Sequence, residues 1–164
     1  TNLGRAPLSR AALQALDRYP GTVIASHANA LALLKGETNN RHLPDEVIRG
    51  LITHGGIIGV VPTNPFLVPG WKRSQPRQLV SLSHVAAQID YICQLAGSAQ
   101  HAGLGTDFDG GFGVQEVPHE VDTLADLHNL APLLAQKGYT EDEIDLIFGG
   151  NWLAALERSL PETL

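Results

Sequence analysis

A chain of 164 residues with 43% hydrophobic and 17% charged residues has the composition of a globular protein with enough apolar material for a proper core. Its net charge of −6 and pI near 5.5 argue against a general nucleic-acid surface, which needs clustered Lys and Arg to release counterions. Apolar runs are interrupted well before the roughly eighteen residues of a spanning helix, so no membrane segment is expected, and one cysteine, Cys93, excludes an internal disulfide or a Cys-based zinc cluster.

In chain order, Ser9 reads as the N-cap of a helix carrying Ala12, Leu13 and Leu16, with Leu8 stapled onto Leu13 and Pro20-Gly21 as the stop. The β-branched run Thr22–Ser26 reads as a buried parallel strand with His27 at its C-terminal end. Ala28–Gly36 reads as a short helical turn. Lys35–His42 reads as a polar loop that places Arg41 on the same rim as His27. Pro44 at the first helical position, with Asp45 and Glu46 at the positive end of the dipole, opens a helix that buries Val47, Ile48, Leu51 and Ile52 and stops at Gly55. Gly56–Val61 is the second expected strand, and Pro62–Arg77 reads as a long loop of the kind that carries function in compact domains. Ser83 caps a helix through Val85, Ile89 and Ile92 to Gly97, with Cys93 as a packing thiol on its apolar face.

His101–Thr106 is the third expected strand, and it runs into Asp107-Phe108-Asp109-Gly110. Extended backbone would put Asp107 and Asp109 on one face and Phe108 on the other. Carboxylates at that end of a strand in an α/β protein sit where chemistry usually lies, and the alternative is that both only cap the loop. Asn129 reads as the cap of a helix to Lys137, and Thr140-x-x-Glu143 as a capping box. Gly149-Gly150 then breaks the helical run before Asn151 restarts it. The alternation of elements gives an α/β fold of parallel βα units, and with no internal linker residues 1–164 read as a single domain.

The three strands are expected to be parallel neighbours, with His27 and Asp107 at one edge. His27 at a strand end suits a metal ligand through a neutral ring nitrogen or a hydrogen-bonded structural role. Arg41 suits a bidentate grip on a carboxylate or a surface salt bridge. Phosphate-loop, dinucleotide, serine-hydrolase and H-E-x-x-H motifs are not found.

Six ordered motifs resemble one family, the membrane (renal) dipeptidases. Val23–Ala30 resembles its P-V-I-x-S-H-S-x-A segment, Arg41–Glu46 its R-N-x-P-D, and Gly55–Val60 its G-G-x-I-x-V strand. Ile89-Asp90-Tyr91-Ile92 is similar to its H-I-D-Y-I helix, Gly103–Gly110 to its G-x-G-S-D-F-D-G signature, and Gly138–Glu141 with Gly149–Asn151 to its closing segment. The resemblance implies a (β/α)8-type barrel, two zinc ions and hydrolysis of dipeptides. It assigns His27 as a zinc ligand, Arg41 to the substrate's C-terminal carboxylate, and Asp107 to the proton moving between the attacking water and the leaving amine.

The family's H-x-D strand, bridging Glu and second His have no counterpart in this sequence; Gly4–Pro7 stands where that His would be. The sequence has no methionine and no leader pattern at Thr1. The expectation is therefore roughly the C-terminal half of such a barrel, with activity incomplete in the fragment. A non-catalytic binding or structural domain on the same half-barrel, another metal-dependent amide or ester hydrolase, and assembly as a homodimer stay open. No feature of the sequence fixes a compartment.

Overall fold

The computed structural model describes residues 10–37 and 40–160. Helix α1, Arg10–Arg18, turns Ala12 and Leu16 into the core. The expected cap Ser9 and staple Leu8 lie outside the described residues. Helix α2, Asp45–Thr53, buries Val47, Ile48 and Leu51 completely, each worth about 2 kcal/mol of apolar transfer. Pro44 is its N-cap and stands one position earlier than expected, in extended backbone at φ −69° and ψ 155°. Gly55, at φ +63°, takes the left-handed turn that ends the segment.

Parallel pairing is present, but the ladder is shorter than the three expected strands. Strand β1, Ile58–Val60, pairs with β2, Ala102–Leu104, in the register Ile58 to Ala102, Gly59 to Gly103 and Val60 to Leu104. The Thr22–Ser26 run joins β1 by a single parallel bridge, Ala25 to Ile58. Ala25 N donates to Ile57 O at 2.9 Å, Gly59 N to Ala25 O at 2.8 Å, and Ala28 N to Gly59 O at 2.8 Å. The chain bends at Ser26 and His27, which ends the ladder after that bridge. Three segments thus lie side by side, and the remainder of the described chain is largely helical.

Their close approach depends on two glycines. A Cβ on Gly59 would run into the Ser26 carbonyl oxygen and stand 2.9 Å from the Gly105 Cα, and a Cβ on Gly105 would meet the same Ser26 oxygen. The backbone here packs against backbone with no room for a side chain.

The Pro62–Arg77 segment carries more structure than a long loop. It holds a short helix α3, Asn64–Leu67, and leads into a 3-10 turn at Arg77–Leu79. The fully buried Asn64 supplies what hydropathy does not reveal: its Nδ2 donates to Val117 O at 3.0 Å, tying α3 to a distant turn. Helix α4, Leu82–Ala96, begins after Ser81 rather than at Ser83. Ser81 N donates to His84 Nδ1 at 3.2 Å and Leu82 N donates to Glu120 Oε2 at 3.1 Å, so two orphan amide groups at its start are satisfied. Gly97 at φ +69° closes it. Cys93 is buried on its inner face, where burial pushes the thiol up to about 11, as suits a packing group.

A 3-10 helix, Leu124–Asn129, runs directly into α5, Leu130–Gln136. Asn129 is therefore helical and does not cap; Thr123 does, through a capping box with Asp126. Helix α6, Glu141–Asp145, starts on the expected Thr140–Glu143 box. Gly149-Gly150 does not break the run. The segment Leu146–Gly150 is a π-helical turn that carries the chain straight into α7, Asn151–Ser159. The buried Asn151 then donates to both Ala99 O, at 2.7 Å, and Ala102 O, at 2.8 Å, while Trp152 Nε1 donates to Leu104 O at 3.0 Å. Ala102 and Leu104 point these carbonyls away from β1, so α7 caps the outer edge of β2 with side chains.

No helix among the described residues is long and apolar enough to cross a membrane.

Two stability measurements follow from this packing. Gly59→Ala should lower stability by about 2 kcal/mol or more, because the new methyl group has only backbone to push against; urea unfolding checks it. His42 is 1% exposed and neither ring nitrogen has a hydrogen-bond partner among the described residues. Burial, with Arg41 adding to it and Glu37 opposing it, holds its pKa below the ordinary value. The unfolded chain therefore takes up a proton that the folded chain resists, so this contribution to stability is complete above about pH 6.5 and is lost as pH falls below it. The urea midpoint should drop between pH 7 and 5, and His42→Phe should flatten that drop.

Candidate active site

The parallel register carries the ends of the first run and of β2 to the same edge of the sheet, and His27 and Asp107 meet there. His27 Nε2 lies 3.9 Å from Asp107 Oδ2, with side chains 16% and 30% exposed, which leaves both within reach of a small solute. Ser26 Oγ lies 2.7 Å from His27 Nδ1. A tautomer protonated at Nδ1 donates to that hydroxyl and leaves the Nε2 lone pair on the Asp107 side.

Asp107 and Asp109 do not share a face. Both adopt positive φ, 50° and 72°, in a turn closed by Gly110 N donating to Asp107 O at 2.8 Å. Aspartate tolerates this conformation better than most side chains. The turn parts the two carboxylates: Asp107 lines a cavity of about 260 Å³ with Arg41, and the exposed Asp109 lines a separate one of about 170 Å³ beside Phe108 and Phe112. The extended reading of Asp-Phe-Asp fails because the strand ends at Leu104, before the motif begins. Gly110 makes room for the Asp107 side chain, since a Cβ there would stand 2.5 Å from Oδ1 and 2.6 Å from Oδ2.

Arg41 reaches the same cavity by a different route. Ala30 forms a parallel bridge with Leu43, in which Leu43 N donates to Asn29 O at 2.8 Å and Leu31 N to Leu43 O at 2.9 Å. Asn29, fully buried, accepts from Val61 N at 3.0 Å and donates to Val61 O and Phe66 O at 3.1 and 2.9 Å. Gln88 of α4 accepts from Ala30 N at 2.7 Å. The Arg41 turn is thereby held over the segment that follows β1. Its guanidinium lies 5.5 Å from the centre of the Phe66 ring, and His42 meets the same ring edge-on at 5.2 Å. Arg41 thus shares a rim with the His27–Asp107 pair, as expected, and it stacks on an aromatic ring that the sequence did not single out.

Sequence reasoning missed the bracing residues Asn29 and Gln88 and the cavity residues Phe66 and Glu116. Asn29 is adjacent to the strand-end motif, and that proximity was the available signal. Gln88 sits among apolar positions of an amphipathic helix, where an amide needs a partner. Nothing in local sequence marks Glu116.

A catalytic zinc takes three protein ligands. Among the described residues no group of three or more His, Cys, Asp or Glu side chains is placed to hold a metal ion. His27, with its Nδ1 engaged by Ser26, fits one place in such a set, and the described residues do not complete it.

The chain is similar to known proteins in sequence and fold. The membrane dipeptidase family, peptidase family M19, matches residues 7–160. A protein of Klebsiella pneumoniae encoded in the region 5′ of pqqA, itself uncharacterised, is 32% identical over 83% of this chain and 46% of its own length. Dipeptidase aclJ of Aspergillus oryzae is 31% identical over 87% of this chain and 32% of its own length. The chain thus spans less than half of these relatives. Among solved structures, a metallopeptidase from Rhodobacter sphaeroides liganded with a phosphinate mimic of L-Ala-D-Ala superposes with a TM-score of 0.78 at 23% identity, over 93% of this chain and 40% of its own. An amidohydrolase from Pseudomonas aeruginosa gives 0.76 at 23% identity, over 96% and 51%. The fold is therefore shared with those proteins, and the match over residues 7–160 shows that the chain belongs to the membrane dipeptidase family.

Proposed function

We propose that residues 1–164 form one domain, the C-terminal part of a (β/α)8-type barrel, and that the longer protein hydrolyses dipeptides with zinc. The observation that carries this reading is the convergence at one sheet edge. Arg41 and Asp107 line one cavity, and His27 Nε2 stands 3.9 Å from the Asp107 carboxylate. Family membership supports it.

In this reading Arg41 binds the C-terminal carboxylate of the dipeptide with its planar fork, which lies 5.5 Å from the centre of the Phe66 ring. That contact sets the scissile bond at a fixed distance from Asp107. Asp107 takes a proton from the attacking water and delivers it to the departing amine, a role that needs an ionised carboxylate in a partly shielded position. Gly110 keeps the space that this carboxylate occupies. His27 offers Nε2 as one ligand to zinc, and zinc when bound supplies Lewis-acid polarisation of the scissile carbonyl. The other ligands belong to the remainder of the barrel.

Kinetics on the longer protein test the assignment. Asp107→Asn keeps size and most hydrogen bonding but cannot accept a proton, so kcat should fall by about 10²- to 10⁴-fold with a much smaller change in KM. Asp109→Asn should change kcat far less, and Arg41→Ala should chiefly raise KM. A near-normal kcat for Asp107→Asn removes Asp107 from the mechanism. The 164-residue chain alone, supplied with zinc, should show little or no dipeptide hydrolysis, because one histidine does not hold a catalytic ion. Robust turnover in that assay means the ligand set has been misassigned.

A further inference from the structure

The cavity that holds Arg41 and Asp107 has a third charged wall residue, Glu116, and it has no part in the reading above. Glu116 ends a 3-10 turn, Val114–Glu116, that is tied down at its C-terminal end. Its carbonyl accepts from Thr63 Oγ1 at 3.1 Å, and the next carbonyl, Val117 O, accepts from Asn64 Nδ2 at 3.0 Å. The backbone is thereby tied to the segment that follows β1, and Glu116, a partly buried residue, is among those lining the cavity.

Its carboxylate makes no hydrogen bond or ion pair with any described residue. Two nearby cations are engaged elsewhere: Arg73 donates to Gln115 Oε1 at 3.3 Å, and Arg77 donates to Asp122 Oδ1 at 3.0 Å and to Val121 O at 2.8 Å, while Arg41 shares the cavity with Glu116. A partly buried carboxylate that no described residue engages is open to a cationic ligand group.

Charge counting identifies the ligand. A dipeptide with neutral side chains brings one carboxylate, for Arg41, and one ammonium. That ammonium is one carbon from the scissile carbonyl and must stay near the Asp107–His27 end, where the reaction occurs. Glu116 is a second acid and calls for a second cation. We propose that Glu116 is a specificity-determining residue that receives the lysine or arginine side chain of a basic dipeptide, an inference that rests on the dipeptide reading of this cavity.

Binding to the 164-residue chain, with zinc chloride present, separates this inference from the reading beneath it. Calorimetric titrations with Ala-Ala, Ala-Lys, Lys-Ala and Ala-Glu use the wild type, Glu116→Gln and Arg41→Ala. At least one lysine dipeptide should bind about five- to tenfold more tightly than Ala-Ala, and Ala-Glu more weakly, as expected for one charge-assisted contact. Glu116→Gln should abolish that preference and leave Ala-Ala unchanged, and Glu116→Lys should reverse it. Arg41-dependent Ala-Ala binding with no lysine preference overturns the role of Glu116 and leaves the dipeptide site standing. A uniform loss for all four peptides in Glu116→Gln overturns it too, since that marks recognition of the shared ammonium. If no peptide binds this chain in an Arg41-dependent way, the inference fails for it, whereas the dipeptide reading falls only if the longer protein also binds and cleaves none of the four.

Discussion

The close stacking of three backbone segments at Ser26, Gly59 and Gly105 is the constraint on which the site depends. Only glycine allows β1 and the end of β2 to lie this near the Ser26 carbonyl. The distance between His27 and Asp107 follows, because each leaves the sheet one or two residues beyond that contact. The site therefore inherits its precision from the core of the sheet and not from the loops that carry it. A spread of even one side chain's width between the segments would leave the two groups too far apart to act on one bond.

Charge is arranged around the same edge with some care. Arg41 stacks on Phe66, and His42, the next residue, is buried against the edge of that ring. A protonated His42 would place a second positive charge beside the guanidinium in a poorly hydrated pocket, and burial together with Arg41 keeps the imidazole neutral. The turn at positive φ sends Asp107 and Asp109 to different cavities, so one carboxylate is kept for the Arg41 side while its near neighbour faces solvent.

Much of this was legible in the sequence for identifiable reasons. The stripe Val47, Ile48, Leu51 and the Thr140–Glu143 box are local signals, and both hold. The Asp-Phe-Asp turn was misread because its conformation depends on where the strand stops, which is set by pairing with β1 and not by the motif. The helix starts after Ser81 in place of Ser83, with His84 accepting from the Ser81 amide and the distant Glu120 from the Leu82 amide; only the second of these lies outside the local sequence. Gly149-Gly150 looked like a helix break because glycine is a poor helix former. Tertiary contacts of Asn151 with Ala99 and Ala102 keep the run going as a π-turn instead. Of the site, the strand-end positions of His27 and Asp107 could be read directly. The bracing by Asn29 and Gln88 could not, since buried amides join segments that are far apart along the chain.

The side-chain capping of β2 by α7 bears on how this surface meets other polypeptides. An exposed strand edge offers a row of unpaired carbonyl and amide groups, and any extended segment can zip onto it. Here the indole of Trp152 and the amide of Asn151 already occupy the outward carbonyls of Leu104 and Ala102. Any incoming strand must first break those bonds and move a bulky ring that also covers Gly103. Among the described residues helix α7 thus covers this edge with side chains, and in the closed barrel proposed above the strand that joins β2 has to take over those carbonyls from Asn151 and Trp152.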